Sequence, residues 1–109
     1  MSDVETRKFD VCIIGTGMAG MASALYAANR GLSTVQVGST GEIMFASGLF
    51  DLLGVHPVEE KRIINRPWEG IKQLRKDIPN HPYARIKEQD IRAAFEEFLS
   101  FLHDAGLPY

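Results

Sequence analysis

Gly15, Thr16, Gly17, Met18, Ala19 and Gly20 spell G-x-G-x-x-G, and their neighbours leave few folds open. The run before them, Phe9, Asp10, Val11, Cys12, Ile13 and Ile14, is rich in β-branched residues and almost wholly apolar after Asp10, as a strand buried on both faces should be. Within Met18 to Arg30, Met21, Ala22, Leu25 and Ala28 recur at helical spacing, and Gly31 follows where a left-handed cap is wanted. Ser33 to Val37 is a second β-branched run, stopped by Gly38. Residues 9–38 thus predict a right-handed βαβ unit with parallel strands.

In that setting each glycine has a physical reason. Gly15 permits the tight turn, Gly17 lets a pyrophosphate approach backbone without meeting a Cβ, and Gly20 lets the helix pack closely on the strand. A phosphate would sit on the unpaired N–H groups and positive dipole end of the helix, which makes Gly15, Thr16, Gly17, Met18, Ala19 and Gly20 the candidate cofactor-binding residues. A purely structural turn is the alternative. The fingerprint also expects an acid at the end of the second strand, about 20 residues on, to hold the ribose hydroxyls. That position is Gly38, with Glu42 the nearest acid in the following loop. The departure weakens an NAD reading most, and no arginine stands there for the 2′-phosphate of NADP.

The remainder is less regular. Residues 1–8 are polar and read as a flexible leader. From Ser39 to Pro67, glycines and prolines break every candidate element, so the stretch reads mostly as loop, with a helical turn or two within Met44 to Leu53 and a short strand at Lys61 to Asn65. Trp68, Ile71, Leu74 and Ile78 are spaced as a helix that Pro79 ends, and Asn80, His81 and Pro82 form a turn. Glu88 to Ala105 carries Ile91, Phe95, Phe98, Leu99 and Leu102 on one face, with Gly106 as cap. A complete mononucleotide-binding sheet needs more strands than 109 residues supply. The fold class is therefore α/β: a Rossmann-like FAD/NAD(P)-binding βαβ unit followed by a loop and two helices, an incomplete doubly wound domain over residues 9–109.

Charge and cysteine content remove several function classes. A net charge of -2 and a pI near 5.9 provide no basic field for nucleic acid. Cys12 is the sole cysteine, which rules out an internal disulfide and a thiolate metal cluster, and no metal site is expected. No segment reaches the roughly 20 apolar residues of a membrane span. Cys12 itself reads as a small buried hydrophobe. Ser47 and Gly48 follow the second strand in a loop that would lie near the carboxyl ends of the strands, where they contact a flavin or cap a helix. Ser39 and Thr40 either bind phosphate or ribose through their hydroxyls or form a plain turn. The histidines at 56, 81 and 103 carry little catalytic weight, and no catalytic residue is assigned.

The stretch Phe9 to Gly20, together with Phe45, Ala46, Ser47, Gly48, Leu49, Phe50, Asp51, Leu52 and Leu53, resembles the N-terminus of the B subunit family of anaerobic glycerol-3-phosphate dehydrogenase. Trp68, Glu69, Gly70, Ile71, then Leu74 and Arg75, then Pro79, Asn80, His81, Pro82 and Tyr83, are similar to the family's next block. The last helix and Ala105 to Tyr109 continue it. The resemblance implies a flavoprotein holding FMN, or FAD. It would work with a larger FAD-bearing catalytic subunit to oxidise glycerol 3-phosphate to dihydroxyacetone phosphate, passing electrons through a membrane-bound iron-sulfur subunit to quinone. A cytoplasmic location, peripheral at the inner membrane through those partners, follows from it. Family members are considerably longer, so the chain resembles their N-terminal fragment. Another FAD-dependent oxidoreductase, or a non-catalytic interaction module, are the competing readings.

Overall fold

Two strands and the helix between them form as their residue types require. In the computed structural model, which describes residues 4–39, 44 and 51–107, β1 is Val11–Ile14, α1 is Met18–Asn29 and β2 is Thr34–Val37. The strands pair in parallel, with Val11 opposite Thr34 and Ile14 opposite Val37. Gly31 ends the helix with φ 71°, and the Leu32 N–H returns to the Ala27 carbonyl at 3.1 Å, so the left-handed cap is present where the glycine predicted it.

Burial differs from the sequence reading in two places. Val11 and Ile13 are half-buried while Cys12 and Ile14 are exposed, Ile14 to 85%. Strand β1 is therefore not buried on both faces and Cys12 is not a core residue. The cause is layering: α1 packs on one face only, so the strand alternates as in a one-sided sheet. Within α1 the inward stripe is half-buried Gly20 and Ala24 with buried Ala27, while Met21 and Ala28 face outward. Small residues let this helix lie close to the strands.

The entry to the sheet is fastened by a reciprocal pair. Asp10 Oδ2 accepts from the Ser33 N–H at 2.8 Å and the Ser33 hydroxyl at 2.7 Å, and the Asp10 N–H donates to the Ser33 carbonyl at 2.9 Å. These bonds, the hydroxyl first, hold the Asp10 carboxyl below its ordinary value. A carboxyl lowered by folding adds stability above its unfolded pKa and loses it as pH falls through the lower folded value. Acidification below about pH 4 should loosen the β1–β2 junction in the wild type, and Ser33→Ala should flatten that response. Amide exchange at Val11 and Thr34 against pH is the measurement; an unchanged slope in the variant would remove Asp10 from the account.

The chain divides into two compact units, Met1–Leu49 and Phe50–Tyr109. In the second, α2 is Pro67–Asp77 and α3 is Glu88–Asp104, with a short 3-10 turn at Pro82–Ala84 between them. Pro67 opens α2 at its first turn, where a missing N–H costs nothing. Ile78 leaves the helix at φ -130°, ψ 78°, the extended conformation required before Pro79. Ile78 is accordingly exposed, while Ile71 and Leu74 are buried. Ile91 is buried on α3, with Phe95, Phe98, Leu99 and Leu102 half-buried beside it, the face read from the sequence. The Arg92 guanidinium lies 3.8 Å from the Trp68 ring centre and is held by Glu88, joining α3 to α2.

Lys61 to Asn65 is not a strand. Ile63 makes a single antiparallel bridge to Val55, and Lys61 adopts φ 51°, which interrupts an extended run. The result is a hairpin over residues 54–64, with the His56 N–H donating to the Arg62 carbonyl at 3.0 Å and the Ile64 N–H to the Gly54 carbonyl at 2.9 Å. Of the expected helical turns within 44–53, only residues 44 and 51–53 are described.

Candidate cofactor-binding site

The six-residue turn occupies the junction of β1 and α1, and its geometry assigns each glycine a separate task. Gly15 has φ 125°, a conformation that side chains rarely adopt. A Cβ on Gly20 would collide with the Gly15 carbonyl oxygen and stand 2.8 Å from its carbon, so the helix can lie this close to the turn only with glycine there. Gly17 is the N-cap of α1, and a Cβ on it would meet nothing within 4 Å. It fronts open space at the helix start.

That open space suits a phosphate. The N–H groups of Met18, Ala19 and Gly20 belong to the first helical turn and have no carbonyl four residues back within the helix. No side chain caps them, since Gly17 has none to offer. The donors therefore face outward with the positive end of the helix dipole, an arrangement that accepts an anion without a charged side chain. A flavin bound there would supply the electron-accepting ring, and these residues would only anchor its phosphate.

Gln36 completes the turn and was not among the residues singled out in the sequence. Its Nε2 donates to the Gly15 carbonyl at 2.8 Å and reaches Met21 Sδ at 3.6 Å. The carbonyl that Gly20 approaches is thus tied down from β2. The one signal in the sequence is a polar side chain inside a β-branched run.

Gly38 and Ser39 lie beside the turn, where Thr16 crowds the position at which the fingerprint expects an acid. A Cβ on Gly38 would be 3.0 Å from Thr16 Cγ2 and 3.2 Å from its Oγ1. The Thr16 hydroxyl in turn donates to the Ser39 carbonyl. Thr16 therefore crowds the position from which an acidic side chain at 38 would have to start, and would have to give by a few tenths of an ångström. The structure brings Gly15, Thr16, Gly17, Met18, Ala19, Gly20 and Ser39 into one neighbourhood. Thr40, Ser47 and Gly48 lie outside the described residues.

The histidines are dispersed. His56 is buried and its Nε2 lies 2.8 Å from Asp77 Oδ2. His81 accepts from the Tyr83 N–H through Nδ1 at 3.1 Å, in the 3-10 turn. His103 is exposed, 3.5 Å from Asp104. Among the described residues no cluster of three or more metal-ligating side chains occurs, and no helix is long and apolar enough to cross a membrane.

Comparison with known proteins agrees with this geometry. The chain is 35% identical over 101 residues to the B subunit of anaerobic glycerol-3-phosphate dehydrogenase from Aliivibrio fischeri strain MJ11, covering 92% of this chain and 22% of the relative. It is 30% identical over 101 residues to the protein of that name from Vibrio cholerae strain O395, covering 92% of this chain and 23% of the relative. The corresponding Haemophilus influenzae protein is 36% identical over 94 residues, covering 83% of this chain and 22% of the relative. The chain therefore spans a little over a fifth of the length of these curated relatives, and the resemblance read from its sequence is matched by their names. No solved structure matches it. Residues 10–109 match the FAD binding domain family, whose cofactor carries a pyrophosphate, the kind of group that an uncapped helix start accepts. On both grounds this chain belongs to the FAD binding domain family.

Proposed function

We propose that this chain is the flavin-anchoring N-terminal part of the B subunit of a quinone-linked dehydrogenase that oxidises glycerol 3-phosphate to dihydroxyacetone phosphate. The observation that carries the reading is the glycine turn with its uncapped helix start, in a chain 35% identical across 92% of its length to a subunit of that name. Residues 9–109 form the opening portion of the domain and residues 1–8 its leader. The turn residues hold the cofactor phosphate, with Ser39, Ser47 and Gly48 as further contacts. The partners are a larger FAD-bearing catalytic subunit and a membrane-bound iron-sulfur subunit, through which a cytoplasmic protein is held at the inner membrane. FAD is the family's cofactor, and the absence of an acid at Gly38 keeps FMN as the competing flavin at this site.

The direct test is flavin reduction in the complete assembly. A complex of the full subunit and its two partners should lose its oxidised-flavin absorbance on adding glycerol 3-phosphate without oxygen, and regain it with a quinone. A complex that contains flavin yet fails to bleach would refute the dehydrogenase reading and leave a flavin-binding protein of other specificity.

A further inference from the structure

Gln36 is an unexpected residue for its place in β2. It stands opposite Ile13 of β1, half-buried where a β-branched side chain would pack with no polar atom to satisfy. A primary amide taken out of water is unfavourable unless its hydrogens find acceptors. Here both amide contacts go to the phosphate turn and the helix start. Nε2 donates to the Gly15 carbonyl at 2.8 Å and lies 3.6 Å from Met21 Sδ in the first turn of α1.

Gly15 is thereby held at both of its polar groups. Its N–H donates to the Val37 carbonyl at 2.8 Å, extending the β1–β2 ladder by one residue, and its own carbonyl is held by Gln36. A trans peptide is planar, so a fixed carbonyl sets the plane of the Gly15–Thr16 unit and the path by which the chain reaches Gly17. That restraint has much to act on. Glycine occupies three of the six turn positions and samples conformations that other residues do not, and Gly15 itself sits at φ 125°. A phosphate binds the first-turn N–H groups in the arrangement that presents them together, and its apparent affinity scales with the fraction of molecules in that arrangement.

We propose that Gln36 is a positioning residue for the cofactor: its amide holds the glycine turn in the phosphate-binding arrangement before the flavin arrives. The inference rests on the flavin reading of the turn. Gln36 acts through the Gly15 carbonyl. A residue that merely supported the strand pair would set the stability of the Met1–Leu49 unit and leave cofactor affinity alone.

The test is FAD titration of the full-length subunit by flavin fluorescence, with a thermal melt beside it. Gln36→Met keeps the length of the side chain and removes its donor, and should weaken FAD binding about tenfold, the worth of one net hydrogen bond. Gln36→Glu keeps the shape and makes the donor switchable, because a carboxylate only accepts whereas a carboxylic acid donates. Partial burial beside a carbonyl oxygen raises its pKa, so this variant should bind about tenfold more weakly than wild type at about pH 8 and approach wild-type affinity at about pH 5. From Val11 to Val37 the titratable side chains are Cys12, Tyr26 and Arg30, none a carboxylate or an imidazole, and Asp10 is engaged with Ser33 at the far end of the strands. Wild type measured at both pH values corrects for the rest of the subunit. Undiminished affinity in Gln36→Met, or a Gln36→Glu deficit that is the same at both pH values, overturns the proposal. Should Gln36→Met fail to fold, the pH profile of Gln36→Glu decides. Variants that match a flavin-binding wild type leave the flavin reading standing, whereas a wild type that takes up neither FAD nor FMN removes both.

Discussion

Gly17→Val is expected to lower flavin affinity about a hundredfold while leaving the chain folded. The backbone at Gly17 has φ -76° and ψ -171°, extended geometry that valine adopts readily, and its new side chain would meet no protein atom within 4 Å of the Cβ position. The fold therefore has no reason to object. The phosphate does, because the valine methyl groups would stand in front of the first-turn N–H donors. Each hydrogen bond to a charged group contributes about 1.5–3 kcal/mol, so losing two corresponds to a hundredfold or more. Flavin fluorescence titration of the full-length subunit gives the affinity and a thermal melt checks the fold. Equal affinities for variant and wild type would mean that the turn is only a way of joining a strand to a helix.

Gly20→Ala inverts that pattern and should destabilise the Met1–Leu49 unit by about 3 kcal/mol, the upper part of the range for overpacking. Alanine is the better helix former by about 1 kcal/mol, and in open solvent the substitution would stabilise α1. Here the added carbon is driven against the Gly15 carbonyl and comes within 3.3 Å of Gln36 Nε2. The first obstacle is backbone, not the far end of a flexible side chain, and Gln36 holds that carbonyl in place. Steric cost exceeds the gain in propensity. Urea unfolding followed at the β1 and α1 amides should show the loss, and an unchanged midpoint would mean that the helix start can slide away from the turn.

The two glycines also mark how far the sequence could be read. Elements fixed by local chemistry were legible: β-branched runs stopped by glycine became β1 and β2, and Pro79 ended α2. Ile91, Phe95 and Phe98 of α3 occupy the face their spacing predicted. What escaped depends on partners distant in the chain. Gln36 acts on a carbonyl 21 residues away, Asp10 on Ser33 over 23, and His56 on Asp77 over 21. No periodicity encodes such pairings. The exposure of Cys12 and Ile14 was misread for a related reason, because a strand's composition does not state how many layers cover it. Lys61 to Asn65 had the residue types of a strand, yet the positive φ at Lys61 leaves one bridge.

The contact between Thr16 and Gly38 couples substitutions at the two positions. A carboxylate at 38 in this chain begins against the Thr16 methyl and hydroxyl, so an acidic substitution made first has to push Thr16 aside by a few tenths of an ångström. Shortening residue 16 first releases the Ser39 carbonyl from its hydroxyl partner and clears the space. A lineage, or a protein engineer, adding an acid to this turn meets less resistance when position 16 changes before position 38.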